Sequence, residues 1–145
     1  MDRKNHKNIG ERGERIAIGE LAKYDIDVLL PMSDNLPFDF VAFSNGKFYK
    51  CQVKTTNSVT KNNSLLFNLK SNNWNKKTEH KYTNDEVDVF ILCDFINVYL
   101  VKFEELNGKS VFLLRKEKTK NNQTKGINLA ENYLISSERI TEVFN

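Results

Sequence analysis

Residues 37–54, PFDFVAFSNGKFYKCQVK, decide the fold. Two alternating runs flank Ser44-Asn45-Gly46-Lys47, and Asn-Gly is the strongest two-residue hairpin signal because both residues tolerate positive φ. With Asn45-Gly46 at the tip, Ser44 opposes Lys47, Phe43 opposes Phe48, Val41 faces Lys50 and Asp39 faces Gln52. Opposed residues of an antiparallel pair share one side of the sheet, and side chains alternate along each strand. Asp39, Gln52 and Lys54 therefore gather at the open end of one face. Phe38, Phe40, Ala42, Tyr49, Cys51 and Val53 form the other, a continuous core surface. A one-residue slip of register would mix the two sets.

A carboxylate, an amide and an ammonium thus converge, and two readings stay open. One is the polar end of an amphipathic hairpin with a surface ion pair, which is common and contributes little. The other is a metal site. Asp39 and the Gln52 side-chain oxygen can both ligate Mg²⁺, a hard cation that prefers oxygen, and the Val53 backbone carbonyl can join them because its side chain points the other way. Lys54 could then orient or activate an attacking water, or stabilise charge on a phosphate.

Outward from the hairpin, residues from about Lys4 to Tyr24 are predicted to form a helix. Glu14, Ala17, Ile18 and Leu21 fall at i, i+3, i+4 and i+7 on one stripe. Ile9 and Ile16 lie opposite, and Gly10 and Gly13 weaken the helix locally. DIDVLLP reads as a short strand closed by Pro31. SLLFNLK is expected as a third strand pairing onward from the hairpin. VDVFILCDF and NVYLVKF are strongly β-like, with Ile96-Asn97 at the turn between them, and SVFLLRK is a further candidate strand. NLAENYL and SSERITEVF read as short helices, the second capped by Ser136 or Ser137 with Glu138 in its first turn. Helix, then mostly strands, then helix indicates an α/β or α+β class.

Composition narrows the function classes. The chain has 145 residues, 39% of them apolar and ten of them Phe, so one domain with a real core is expected over residues 1–145 and disorder is not. No apolar run reaches the ~18 residues that would cross a bilayer. The charged start, MDRKNHKNIGERGER, lacks the apolar centre of a signal peptide, so a cytoplasmic protein with no membrane contact is expected. Cys51 and Cys93 stand alone without CxxC spacing, against a disulfide framework or zinc knuckle. The net charge of +3 is too small to establish nucleic-acid binding. Lys and Asn cluster at 61–81 and 116–125, where two solvated loops compete evenly with basic contact surfaces. His6 and His80 look single and unpaired, Asp85, Glu86 and Asp88 read as a strand boundary, and Trp74 is either a loop anchor or a nucleic-acid contact.

Four stretches, taken in order, resemble the PD-(D/E)XK nuclease superfamily, and within it the small group I intron homing endonucleases with QxK in the last motif. GERGE matches the helical glutamate motif, with Glu14 as the matching acid. LLP…NLPFDFV matches the motif of the metal-binding aspartate, Asp39, and FYKCQVKT the Q-x-K strand, Gln52 and Lys54. YTNDEVDVFILCDFINVYLVKFEEL and KNNQTKGINLAENYL follow the family core in order and spacing, and Tyr82 matches a recurrent position of unassigned role. Two departures stand out. Phe38 separates Pro37 from Asp39, and neutral Gln52 replaces the more usual acid, so Glu14 would compensate if its helix packs by the hairpin's open end. Glu11 and Glu20 are its alternatives, Glu11 nearer the stripe and Glu20 pointing away.

The resemblance implies a restriction-endonuclease-like core, a mixed β-sheet flanked by helices. It further implies a Mg²⁺-dependent endonuclease, with Mn²⁺ able to substitute, that cuts double-stranded DNA and leaves 5′-phosphate and 3′-hydroxyl ends. Glu14, Asp39, Gln52 and Lys54 would be its catalytic residues; Asp39, Gln52, Val53 and Glu14 would hold the metal. Lys50, Lys61, Lys76 and Lys77 are the candidate DNA contacts, and cutting two strands suggests a homodimer or homotetramer. A Holliday-junction resolvase, a restriction-like or phage nuclease, and an inert DNA-binding module of the same fold are the alternatives.

Overall fold

A computed structural model describes residues 3–73 and 77–145. Helix α1 spans Arg3–Ala22, and among the described residues nine strands follow: β1 (Asp27–Leu29), β2 (Phe40–Ser44), β3 (Lys47–Thr55), β4 (Ser64–Asn68), β5 (Lys70–Asn73), β6 (Thr78–Lys81), β7 (Val89–Cys93), β8 (Val98–Lys102) and β9 (Val111–Arg115). Helix α2, Ser137–Val143, closes the chain, with the Ser136 hydroxyl accepting from the Arg139 N–H as its cap.

The hairpin has the predicted register, Ser44 opposite Lys47 through Phe40 opposite Cys51. Asn45 and Gly46 take φ of 51° and 77°, as a primed turn requires. Five strands make the central mixed sheet in the order β1-β2-β3-β7-β8, with β3 and β7 parallel and the other neighbours antiparallel. The alternation predicted for the hairpin extends across it. Phe40, Ala42, Cys51, Val53, Val89, Ile91, Val98 and Leu100 face Ala17 and Leu21 of α1 and Val143 and Phe144 at the α2 end. Phe90, Leu92, Tyr99 and Val101 face the other way, onto Leu65 and Phe67 of β4 and Phe112 and Leu114 of β9. Each of these fully buried Phe and Leu side chains contributes roughly 1.5–3 kcal/mol of burial.

Several expectations are corrected. SLLFNLK does form a strand, but β4 pairs antiparallel with β9 in a separate two-stranded sheet rather than continuing the hairpin. The helices cover one face of the central sheet and this β-pair covers the other. Part of the stretch 61–81, weighed as a solvated loop, forms the ribbon β5–β6. NLAENYL contains only a single 3₁₀ turn at Ala130–Asn132. The turn after β7 is organised one step earlier than Ile96-Asn97, because the Asp94 carboxylate accepts from the N–H groups of both Ile96 and Asn97. Trp74 and Lys76 lie outside the described residues.

Candidate active site

The open end of the hairpin is built by a strand that stops early. β2 begins at Phe40, so Asp39 sits in the bend before it and not within a strand as its sequence position suggested. Its backbone N–H still donates to the Cys51 carbonyl at 2.8 Å. Its carboxylate accepts from the Val53 N–H at 2.7 Å, taking the place of the ladder acceptor that β2 no longer supplies. One backbone bond and one side-chain bond thus fix Asp39 against β3.

Helix α1 brings the second acid. Ala17 and Leu21, on the Glu14 stripe, are fully buried against the sheet, and Glu14 lies one turn earlier, at its edge. Gly13 sets how close the helix comes: a Cβ there would lie 1.8 Å from Thr55 Oγ1 and 2.9 Å from Thr55 Cβ. Gly13 is therefore a close-approach glycine on β3 and not merely a weak point of the helix. Thr55 Oγ1 is buried in this contact and finds no hydrogen-bond partner among the described residues.

Glu14 and Asp39 meet carboxyl to carboxylate. Burial first, then the Asp39 charge, pushes the Glu14 carboxyl up to about 7. Burial also raises Asp39, but the Val53 N–H, its hydrogen bond with Glu14 and the Lys54 ammonium oppose the shift. At Glu14 only the Arg15 charge opposes the rise. Of the alternative acids, Glu11 is exposed and faces Arg15 at 3.7 Å, while Glu20 pairs with Lys23 at 2.8 Å.

Gln52 and Lys54 follow on β3, on the face opposite the buried Cys51 and Val53. Lys54 Nζ donates to the Lys70 carbonyl at 3.2 Å and lies 5.2 Å from the centre of the Tyr82 ring. Burial lowers the Lys54 pKa, against the pull of Asp39. The structure therefore brings Glu14, Asp39 and Lys54 together, with Gln52 at the strand position between Val53 and Cys51.

The donor set suits a divalent cation. Two acids meet where one ammonium and one N–H offset them; burial raises both carboxyls, and at Glu14 the Asp39 charge adds to it. Glu14, Asp39 and the Gln52 amide offer the oxygen ligands that Mg²⁺ or Mn²⁺ takes. Among the described residues no three His, Cys, Asp or Glu side chains cluster as a metal site, so a cation here would draw on the Gln52 amide, backbone oxygens and water besides the two acids.

The basic candidates separate. Lys50 Nζ is tied to the Asp85 carbonyl, and its N–H donates to Asp88 Oδ2 at 2.8 Å, so it knits β3 to the start of β7. Lys61 and Lys77 are exposed turn residues. His80, expected to be unpaired, meets Glu86 at 2.8 Å. Sequence reasoning missed Thr55, the purpose of Gly13 and the Lys70 carbonyl; a backbone oxygen carries no sequence signal. Tyr82, a recurrent family position of no role assignable from sequence, lies under the Lys54 ammonium.

The sequence pattern of the PD-(D/E)XK endonuclease family matches residues 4–136. Among solved structures the chain is similar to the bacterial homing endonuclease I-Ssp6803I. The TM-score is 0.71 and the identity 19%, over 88% of this chain and 87% of that one. At that identity the likeness establishes the fold alone. No curated protein matches the chain.

Proposed function

The chain belongs to the PD-(D/E)XK endonuclease family, and from that premise we propose that it hydrolyses phosphodiester bonds of double-stranded DNA with Mg²⁺, as a homing-type endonuclease. The observation that carries this is the meeting of Glu14, Asp39 and Lys54 at the open end of the hairpin. A bound Mg²⁺ would polarise the phosphate and lower the pKa of a water beside it.

The protein's own groups have distinct parts. Asp39, fixed by the Val53 N–H and lying beside Lys54, would anchor the cation. Glu14 and Gln52 complete its oxygen ligands, with the Val53 carbonyl as a further one. Lys54, held by the Lys70 carbonyl, presents its ammonium beside Asp39, where it orients the water or balances charge on the phosphate. Lys61 and Lys77 contact phosphates, and so does Lys76. One chain carries one such site, so cutting both strands at one locus calls for two copies related by a two-fold axis.

The test is incubation of the purified protein with supercoiled plasmid, linear duplex and a four-way junction, in Mg²⁺ and in EDTA. Mg²⁺-dependent nicking and linearisation of duplex DNA is expected. Cutting confined to the junction would make the protein a resolvase. Binding without cutting in any divalent cation would make it an inert module of the fold.

A further inference from the structure

The ribbon β5–β6 is left over once the fold and the site are accounted for. Among the described residues its two strands pair with each other and with no other strand. Every residue of β6 is exposed, and neither strand carries an apolar side chain. An isolated two-stranded ribbon is marginal in water and gains from lying against something. Its described residues and the adjoining turn carry Lys70, Lys77 and Lys81 against a single acid, Glu79, which pairs with Lys70 at 3.0 Å. A surplus of positive charge on a polar ribbon suits a polyanion, and the major groove of a duplex is wide enough to admit two strands.

The base of the ribbon reaches the site at two points. Lys54 Nζ donates to the carbonyl of Lys70, the first residue of β5. The same ammonium lies over the ring of Tyr82, the residue that follows β6. Tyr82 is itself buried, with 8% of its surface exposed, and packs edge-on against Phe90 of the central sheet at 5.7 Å between ring centres. Lys81 Nζ donates to the Gly108 carbonyl and His80 pairs with Glu86, so both anchor the ribbon at its root.

We propose that the β5–β6 ribbon is an arm that lies in a groove of duplex DNA, and that Tyr82 is the positioning residue through which the arm's base holds Lys54. This rests on the reading of Lys54 as part of a DNA-cutting site. Tyr82 does not touch the substrate; its ring face and the Lys70 carbonyl fix where the ammonium stands relative to Asp39. The ribbon that meets DNA thus also holds the ammonium of the site.

The experiment uses the full chain and a library of randomised duplexes read by sequencing, so that no target need be known beforehand. Tyr82→Leu is expected to lower the cleavage rate at saturating DNA by about tenfold while leaving affinity nearly unchanged. Tyr82→Phe keeps the ring and is expected to cut almost as wild type. Lys77→Asn removes a charge at a residue with φ of 51°, a conformation Asn tolerates. It is expected to weaken binding and make the salt dependence shallower by about one unit of slope.

Equal rates for Tyr82→Leu and wild type would overturn the positioning role, as would equal losses in Tyr82→Phe and Tyr82→Leu. Tyr82→Met serves if the leucine variant does not fold, and failure of both to fold would mark the ring as a core group and count against the proposal. Unchanged affinity and salt slope in Lys77→Asn would overturn the arm. If wild type cuts no member of the library, it is the DNA-cutting reading itself that fails.

Discussion

Glu14 and Asp39 repel one another as carboxylates, and the sign of that repulsion can be read in stability. Glu14 titrates near 4.5 in the unfolded chain and at about 7 in the fold without metal. A raised carboxyl favours the folded state while protonated; the stability is fully present below about pH 4.5 and is lost as pH rises through 7. Glu14→Gln removes the charge and keeps the shape. In EDTA its thermal midpoint should match wild type at pH 4 and exceed it at pH 8. Discounting for the site's partial exposure to solvent, the gain should be about 1–2 kcal/mol, or a few degrees. Differential scanning fluorimetry at the two pH values measures it, and no difference at pH 8 would mean the two acids are not strained. Mg²⁺ should raise the wild-type midpoint at pH 8, and raise that of the glutamine variant less, since binding stabilises with the logarithm of one plus the ratio of Mg²⁺ concentration to Kd and the variant binds more weakly. Lys54→Ala should abolish cutting while gel-shift affinity stays close to wild type, because binding sums many phosphate contacts.

At the scale of elements, the site depends on how closely α1 lies on β3. Gly13→Ala would drive a methyl into Thr55. The expected cost is about 1–3 kcal/mol in urea unfolding, as for overpacking elsewhere. Cutting should fall with it, since the displaced helix carries Glu14 from Asp39; wild-type stability and rate together would remove Gly13 from the account. The hairpin was legible in the sequence because Asn45-Gly46 and strict alternation fix register locally. Helix α1 was legible from its stripe, and the acid on that stripe followed. The partner of β4 was not, since its apolar pattern states only that one face is covered, not that β9 covers it. The ribbon was obscured for the opposite reason: with no buried face, β5 and β6 carry no hydrophobic alternation to detect. Asp39 was assigned to the right face, but its position outside β2 was hidden because its carboxylate substitutes for a strand carbonyl.

For the whole molecule, the central sheet puts its apolar residues against helices on one side and against a β-pair on the other. The catalytic candidates are left at one end, where β2 stops and α1 passes. No helix among the described residues is long and apolar enough to cross a membrane. If one chain cuts one strand, the linearisation of plasmid should rise more steeply with protein concentration than nicking does. Time courses over a dilution series measure this, and equal dependence of the two products would argue against paired copies. If Glu14, Asp39 and Lys54 together cut DNA, cutting depends most directly on Asp39. The direct measurement is cleavage by Asp39→Ala in Mg²⁺ beside its gel-shift affinity in Ca²⁺, on DNA that wild type cuts. The account predicts a loss of at least about 100-fold in rate, with affinity equal to wild type or tighter because a negative charge is gone. An Asp39→Ala protein that cuts at the wild-type rate would contradict it.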